Sequence, residues 1–489
     1  MENIIAFWRN NIKILFEKKS IKQINLESLK DNKLKKSLSL LQIILFGIGV
    51  IVGSGIFVLT GIASGLHAGP AITISFAISG FICICAGLCY AEFSSMLNTS
   101  GSSYSYTYIA FGRLPAWIIG SISSIGYFLG AVSVVVGWSR YFNDVLTMFN
   151  LEIPKKFALT TGTQYMSDGK ICQALFDFPA FIISSISTFI LYKSIILSSI
   201  ITSLSVFTKL FVLLCFCLIG VFYIDVNNWI PYIPTNTGNF GEYGISGIVS
   251  GISIVFLAFN GFDSICTSAQ EVKNPQKNVP LGIMITIIIV TTIYIIISAV
   301  MTGLVSYTKL GVPHGLAIAV DKIGLPYFNY IIKMGALTGL SSVIIVSQYT
   351  VIRMLMVMAK DKLLPKFLTK IHGQNKTPHI ITLIIGISMS FISATITLEN
   401  IVRLSSFFIL STLITVCMSS IITRYKNPTL NLSFKCPFMP VTPSVAILLS
   451  LYILFSYPLQ VFINAGLVIG ILIILFFIQR LCSQFFDSI

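Results

Sequence analysis

Long apolar segments separated by short polar connections run through most of the sequence. A helix that crosses a membrane needs about twenty mostly apolar residues, and twelve segments approach this length. They lie at 40–64, 71–94, 114–142, 176–194, 198–223, 244–268, 281–305, 327–357, 379–396, 400–423, 442–457 and 460–482. The pattern therefore predicts an all-α polytopic membrane protein with twelve transmembrane helices.

The composition favours a membrane protein over a soluble one. Hydrophobic residues make up 55% of the 489 positions and charged residues only 10%, whereas soluble domains contain about 25% charged residues. A net charge of +15 would suggest a nucleic-acid partner for a soluble chain, but the Lys and Arg residues of membrane proteins collect in cytoplasmic loops. We expect the lipid bilayer to surround the chain, and no nucleic acid to bind it.

The distribution of basic residues predicts the orientation. Residues 1–38 are rich in lysine and contain no long apolar run, and 358–378 is the most basic connection between apolar segments. Placing both in the cytoplasm puts most Lys and Arg residues inside, with the N- and C-termini cytoplasmic in a plasma membrane or a bacterial inner membrane. Residues 1–38 would form either an amphipathic helix on the membrane surface or a disordered basic arm.

Five glycines fall within one otherwise apolar stretch, GIGVIVGSGIFVLTG at 47–61. Glycine inside a helix costs about 1 kcal/mol relative to alanine, and a backbone group that it frees in the membrane needs another partner. These properties predict a helix that is broken at Gly53-Ser54-Gly55. The alternative is a continuous helix in which Gly49 and Gly53, spaced four apart, allow a second helix to approach closely.

A second interrupted segment, FLAFNGFD at 256–263, lies in the later half of the chain. Interrupted spans at matching places in two halves of a chain are typical of a transporter binding site. The helix that restarts at Gly55 would present N–H groups and a positive dipole end to a carboxylate. Carbonyls freed from Phe256 to Asn260 would accept an ammonium group, so the two breaks together predict a site for a zwitterion such as an amino acid.

Lys209 lies near the middle of the predicted fifth span. A charge at this depth costs about 2.5–3.5 kcal/mol and is therefore a functional candidate. Two roles remain open: its ammonium could hold carbonyls exposed by the first break, or it could take up and release a proton during transport. Either role leaves little space for a bound sodium ion.

Other kinds of chemistry are weakly represented in the sequence. The ten cysteines lie mostly inside apolar runs, and the four histidines are scattered without the spacing of metal ligands. We therefore expect no metal, no cofactor and no disulfide framework. The sequence also lacks a nucleotide-binding P-loop and a Ser–His pairing, which argues against an enzyme.

Six stretches together resemble the amino acid–polyamine–organocation superfamily, and specifically its cationic amino acid transporter branch. They are GIGVIVGSGIFVLTG (47–61), AGPAITISF (68–76), YAEFSSMLNTSGSSYSYTY (90–108), FLGAVSVVVGWSRYFN (128–143), FLAFNGFDSICTSAQEVKNPQKNVPLGI (256–283) and MAKDKLLPKF (358–367). The resemblance implies a LeuT-like fold of two inverted five-helix repeats, at 39–224 and 225–424, followed by two further helices within 425–489.

The resemblance also implies a substrate site made largely of main chain. The residues that would bind the substrate carboxylate are Gly53, Ser54 and Gly55. The residues that would supply carbonyls for the substrate amine, or form the pocket wall, are Ile51, Phe256, Ala258 and Phe259. Lys209 matches the lysine that stands, in proton-coupled relatives, where sodium-coupled relatives bind their ion.

The sequence departs from the pattern of this branch at two positions. The third span of the branch usually carries an acidic residue that could meet a cationic side chain, and the corresponding triplet here is Ile125-Gly126-Tyr127. Asn260 replaces the usual apolar residue of the sixth span. Because a buried cation without a carboxylate partner is poorly tolerated, a neutral amino acid is favoured, or a larger one that uses the space at Gly126. Leu340 would form the floor of the pocket.

These observations predict a secondary-active, proton-coupled amino acid permease. It would work by alternating access, with the substrate held between spans 1 and 6, and its expected partners are an amino acid and protons. Two alternatives stay open: an exchanger that requires a counter-substrate, and a non-transporting amino acid sensor with the same fold. The sequence makes no prediction about the oligomeric state.

Overall fold

The computed structural model describes most of the chain, namely residues 15–21, 23–24, 26, 38–53, 55–97, 99, 101–167, 170–193, 195–269, 272–312, 315–371, 377–396, 398–428 and 432–487. The predicted basic arm at 1–38 lies mostly outside these residues. The part of the arm that is described contacts the folded core, because Lys19 Nζ lies 2.8 Å from Asp361 Oδ1.

The first half of the chain forms a series of helices and one short hairpin. In chain order these are α1 (Leu40–Ile51), α2 (Thr60–Ala63), α3 (Ile72–Met96), α4 (Ser102–Phe111), α5 (Arg113–Met148), α6 (Lys155–Ala158), β1 (Gln164–Ser167), β2 (Lys170–Gln173), α7 (Phe178–Lys193) and α8 (Ile195–Gly220). The two strands pair antiparallel, with Gln164 opposite Gln173. The all-α prediction misses this hairpin, which lies in the connection between α5 and α7.

The longer elements in the described part of the second half are all helices. In chain order these are α9 (Gly244–Val255), α10 (Ser264–Thr267), α11 (Pro275–Leu304), α12 (Gly315–Ile323), α13 (Pro326–Lys360), α14 (His379–Thr395), α15 (Leu398–Lys426), α16 (Val441–Phe455) and α17 (Leu459–Asp487). Each of the twelve segments predicted from hydropathy contains at least one helix.

Among the described residues, eight helical stretches are long and apolar enough to cross a membrane. One of them, Leu40–Met96, includes both of the first two predicted segments, and α7, α14 and α16 are shorter apolar helices. Large apolar side chains remain exposed on these helices, such as Phe189 of α7 and Leu467 of α17, each at 62%. Because exposed apolar surface on this scale suits lipid and not water, the chain is a membrane protein.

Small residues let the longer helices approach one another closely. α3 packs along α11, where a Cβ at Gly80 would lie 2.4 Å from Thr291 Cγ2. Lipid is as apolar as the side chains that it surrounds, so membrane helices associate through van der Waals contacts of this kind. α1 itself lies against α8, α11 and α13, which places the first glycine-rich segment inside the helical bundle.

Two buried charged side chains outside the interrupted segments belong to ion pairs. Glu92 of α3 is 2% exposed and accepts from Arg424 Nε at 3.2 Å and from the Cys436 N–H at 2.7 Å. Lys333 Nζ of α13 lies 3.1 Å from Asp321 Oδ1 of α12. These pairs link neighbouring helices and a connecting loop. Loss of the partner of Glu92 or Lys333 would leave a buried charge uncompensated.

Candidate functional site

The first helix is interrupted at the predicted glycines. α1 ends at Ile51, Val52 is extended with a ψ of 98°, and a π-helix begins at Gly55. The Gly53 carbonyl accepts two N–H groups of the turn that follows, each at 3.2 Å. Ser54 lies outside the described residues, so its role in binding a carboxylate stays a prediction.

The second interruption follows α9. A 3₁₀-helix covers Phe256–Phe259, Asn260 is extended with a ψ of 131°, and the chain is helical again in α10. Gly261 has a φ of +113°, a conformation that glycine adopts without the steric cost of a side chain. A Cβ at Gly261 would also lie 2.4 Å from Val50 Cγ1 of α1. Glycine at this position therefore allows both the break and the contact with the first segment.

The two interrupted segments touch each other directly. A Cβ at Gly55 would lie 2.1 Å from Ala258 Cβ and 2.5 Å from Ala258 Cα. This contact leaves no space for even a methyl group between them. The structure thus brings Gly55 of the first segment to Ala258 of the second, in a conformation that is closed at this point.

Tyr294 of α11 joins the two segments and is absent from the predicted site. Its hydroxyl oxygen lies 2.8 Å from the Ile51 carbonyl oxygen and 3.0 Å from the Ala258 carbonyl oxygen. A hydroxyl has one proton to donate, so the two carbonyls share it. Both carbonyls are predicted to receive a substrate amine, and they converge on one point. The sequence signal that marks this residue is a lone tyrosine within the apolar run ITIIIVTTIYIIISAV (285–300).

Lys209 of α8 reaches the carbonyls of the first break. The side chain is fully buried, and Nζ donates to the carbonyl of Gly49 and, at 2.7 Å, to that of Val52. Ser342 Oγ of α13 lies 3.4 Å from the same nitrogen. The hydrogen bonds expected for the structural role of this lysine are therefore present. Its role as a proton carrier stays a prediction.

Aromatic rings surround the second interruption. The ring centroid of Phe259 lies 5.4 Å from that of Tyr294 and 6.4 Å from that of Phe76, and the last two rings are 5.1 Å apart. Phe256 is 1% exposed, like Phe259. Apolar walls with a few convergent polar groups are typical of small-molecule sites, and here the polar groups are the carbonyls that face Tyr294.

Gly126 lies on α5, and one turn later the same helix contacts Asn260. The Gly126 carbonyl accepts from Ser405 Oγ at 2.7 Å, and the three atoms nearest to a Cβ at Gly126 all belong to α15. Four residues later, a Cβ at Gly130 would lie 3.1 Å from Asn260 Nδ2 and 3.5 Å from Ser405 Oγ. The structure thus places Asn260 beside Gly130, while Gly126 packs against α15.

Leu340, the predicted floor residue, is fully buried in α13. Its neighbours on that helix contact the first interruption. A Cβ at Gly339 would lie 3.4 Å from Phe57 Cε2, and Val343 Cγ2 would lie 2.6 Å from a Cβ at Gly53. The helix that carries Leu340 therefore packs against the first break.

Asp263, at the end of the second interruption, has a partner that the sequence does not reveal. The hydroxyl of Tyr127, from α5, donates to Asp263 Oδ1, and Ser264 Oγ lies 3.4 Å from that hydroxyl oxygen. Because the Asp263 carboxyl is buried, this hydrogen bond ties the restart of the second segment to the third predicted span.

The arrangement offers main-chain carbonyls, hydroxyls and one ammonium, which are groups that bind a polar solute reversibly. In the part of the chain that the structure describes, no group of three or more His, Cys, Asp and Glu residues could hold a metal ion. The polar groups that the structure brings together between the two interrupted helices are therefore main-chain carbonyls, the Tyr294 hydroxyl and the Lys209 ammonium.

Comparisons with known proteins identify relatives along nearly the whole chain. The profile of the family described as amino acid permease matches residues 38–481. The chain is 34% identical over 444 residues to a methylthioribose transporter of Bacillus subtilis (strain 168), covering 91% of this chain and 93% of that protein. It is 34% identical over 443 residues to the branched-chain amino acid permease BcaP of the same organism, with 90% and 92% covered. The human cationic amino acid transporter 4 is 30% identical over 405 residues, which are 82% of this chain and 62% of that protein.

Proposed function

This chain belongs to the amino acid permease family, within the amino acid–polyamine–organocation superfamily and similar to its cationic amino acid transporter branch, and from that premise we propose that it imports a neutral amino acid together with protons. The relatives are named as transporters or permeases and not as enzymes. The chain is therefore a transport protein of the membrane and not an enzyme.

The observation that carries this proposal is the convergence of the Ile51 and Ala258 carbonyls on a single hydroxyl. At 2.8 and 3.0 Å from Tyr294 Oη, both oxygens are aimed at one donor. The ammonium of a substrate would replace that donor and offer three protons. Its carboxylate would meet the N-terminal end of the helix that restarts at Gly53-Ser54-Gly55, where N–H groups and the dipole favour an anion.

Access for the substrate requires the two segments to move apart. Gly55 and Ala258 are in contact, so we propose that the closed conformation alternates with one in which this contact is open. The hinges would be the interruptions themselves, since the backbone is already extended at Val52 and Asn260 and residues at element ends can absorb changes in torsion angle.

A neutral side chain suits the surroundings of the second break. Phe76, Phe256 and Phe259 supply rings, and Asn260 supplies an amide in place of a charge. One relative is named as a branched-chain amino acid permease, and an apolar side chain of that kind would pack against these rings. We propose that Leu340 sets the space available to it, and that Gly126 does so indirectly, through its contact with α15.

Lys209 is the proposed coupling residue. Its ammonium donates to two carbonyls of the first segment, so losing its proton would weaken the hold on that segment. Protonation and the position of the first segment would therefore depend on each other, as coupled transport requires.

The proposal also includes the architecture and the orientation of the chain in the membrane. Twelve membrane crossings would form two inverted five-helix repeats of the LeuT-like kind, at 39–224 and 225–424, with two further helices. Both termini would face the cytoplasm of a cell membrane. The excess of basic residues in 1–38 and 358–378 supports this orientation.

A second candidate substrate comes from a relative of equal identity that is named as a methylthioribose transporter. Such a sugar derivative is neutral and lacks the paired charges of an amino acid. It would use the rings and Asn260 but would leave the site for a carboxylate empty.

Uptake into proteoliposomes tests the proposal. The full-length protein would be offered labelled neutral and cationic amino acids and methylthioribose, with and without a pH gradient, and with and without substrate inside. We expect neutral amino acids to accumulate only with the gradient. Uptake that requires internal substrate would indicate an exchanger, and saturable binding without flux would indicate a sensor. A preference for methylthioribose or for cationic amino acids would overturn the proposed substrate class.

A further inference from the structure

A surface groove lies between α7 and α14, away from the interrupted segments. Its volume is about 350 Å³, which falls within the range of about 300–1,000 Å³ typical of ligand sites. The walls are almost entirely apolar and include the rings of Phe181, Phe189 and Phe391. A contact at its floor holds the two helices together, since a Cβ at Gly386 would lie 2.0 Å from Thr188 Cγ2.

The serine and threonine hydroxyls in the groove already have partners within the protein. Ser185 Oγ donates to the Phe181 carbonyl at 2.8 Å, and Ser390 Oγ donates to the Gly386 carbonyl at 2.9 Å. Thr188 Oγ1 donates to the Ser184 carbonyl and accepts from Gln348 Nε2, both at 2.8 Å. A polar solute would find little to bind here, because its own hydrogen-bonding groups would remain unsatisfied. The groove therefore suits a hydrocarbon chain.

The rim of the groove is strongly apolar and open. Phe189 is 62% exposed, Ile387 is 55% exposed and Phe391 is 54% exposed. In a membrane protein this surface contacts lipid, and an acyl chain that enters the groove gains van der Waals contacts with both helices.

A lysine lies at one end of the groove. Lys193, the last residue of α7, holds its ammonium 5.8 Å from the centre of the Phe189 ring, a cation–π distance. Thr377 Oγ1 donates to the Tyr192 carbonyl at 2.9 Å, so α7 ends where α14 begins. The short helix Lys366–Thr369 packs at the same end, because Leu368 contacts the apolar cluster that contains Leu191 and Ile381.

We propose that this groove binds an anionic phospholipid, with one acyl chain between α7 and α14 and the phosphate beside Lys193 and the Lys366–Thr369 segment. Basic residues at the membrane surface attract anionic headgroups, and the apolar groove begins at Tyr192, the residue before Lys193. The inference rests on the membrane location of the protein and is independent of the transported substrate.

Native mass spectrometry of the full-length protein tests this site. Phosphatidylglycerol or phosphatidylcholine with identical acyl chains would be added at equal concentration, and bound lipids would be counted. We expect more phosphatidylglycerol than phosphatidylcholine on the unmodified protein. Lys193→Ala should lower phosphatidylglycerol occupancy by about fivefold, the effect of one basic residue at the surface. Ile387→Trp should lower the occupancy of both lipids by filling the groove.

Two matched variants serve as controls. Lys156 also holds its ammonium near a phenylalanine ring, 5.9 Å from Phe157, but lies in α6, so Lys156→Ala should bind lipid like the unmodified protein. Ile384 is 48% exposed on α14 and lies outside the groove lining, so Ile384→Trp should do the same. Equal binding of the two lipids, full occupancy in Lys193→Ala, equal losses in Ile384→Trp and Ile387→Trp, or a second copy of the chain bound in place of lipid would each overturn the proposal.

Discussion

Lys209 replaces N–H donors that a continuous first helix would have offered to its own carbonyls. In an α-helix the carbonyl of Val52 would accept from the N–H of Ile56, but that N–H donates to the Gly53 carbonyl. Lys209 Nζ takes its place at 2.7 Å from Val52 and also donates to Gly49. The break therefore supplies the carbonyls that stabilise the buried ammonium. The ammonium in turn stabilises the broken conformation of the helix.

We expect Lys209→Ala to abolish accumulation driven by a pH gradient. The variant removes both the proton-binding group and the donor to two carbonyls. The measurement is uptake into proteoliposomes with and without the gradient. Lys333→Ala is the matched control, because Lys333 is also a buried lysine of the bundle but pairs with Asp321. Gradient-driven uptake that survives in Lys209→Ala would remove the coupling role.

Tyr294 occupies the place that we propose for a substrate ammonium. Tyr294→Phe keeps the ring but leaves the Ile51 and Ala258 carbonyls without that donor, which should lower the free energy of unfolding by about 1–3 kcal/mol. Substrate should then raise the thermal unfolding midpoint of the variant more than that of the unmodified protein, because the ammonium supplies the missing donor.

Tyr141→Phe is the control for this experiment. The buried Tyr141 hydroxyl donates to the Phe57 carbonyl at 2.7 Å, so its loss should cost similar stability. It does not bridge the two interruptions, and the shift caused by substrate should match that of the unmodified protein. Equal shifts in both tyrosine variants would contradict the proposed site.

At the scale of elements, the contact between the two interrupted segments depends on glycine. Gly55→Ala would place a Cβ 2.1 Å from Ala258 Cβ, and overpacking of this kind costs about 1–3 kcal/mol. The cost falls on the closed conformation, so we expect a roughly 5- to 150-fold lower transport rate with an unchanged circular dichroism spectrum.

Gly470→Ala provides the comparison for this variant. Gly470 lies in α17, and a Cβ there would meet no atom within 4 Å among the described residues, so alanine should be accommodated with transport unchanged. Normal transport by Gly55→Ala would show that the closed contact is not part of the transport cycle.

At the scale of the whole molecule, the orientation in the membrane can be tested with the native cysteines. Cys172 lies in β2 and is partly exposed, in the connection that the basic-residue pattern places outside. A membrane-impermeant maleimide should label intact cells that express the protein, and Cys172→Ser should abolish this labelling. Cys482, near the predicted cytoplasmic terminus, serves as the control, since Cys482→Ser should leave it unchanged. Labelling that survives in Cys172→Ser would reverse the assigned sides.

The helices and both interruptions could be predicted from the sequence because their causes are local. About twenty apolar residues suffice to indicate a spanning helix, and glycine disfavours helix wherever it occurs. Gly53, Gly55 and the stretch from Phe256 to Asn260 therefore mark the breaks without any knowledge of their neighbours. Lys209 is equally visible, since a lone charge within an apolar run requires a partner.

The partners themselves were decided only by the tertiary structure. Tyr294 is separated from Ile51 by more than two hundred residues, and the pairing of Asp263 with Tyr127 joins two different spans. Gly126 faces α15 for the same reason: the side that a helix turns toward each neighbour depends on how all the helices pack. Hydropathy along the chain is nearly uniform around a buried helix and does not encode that choice.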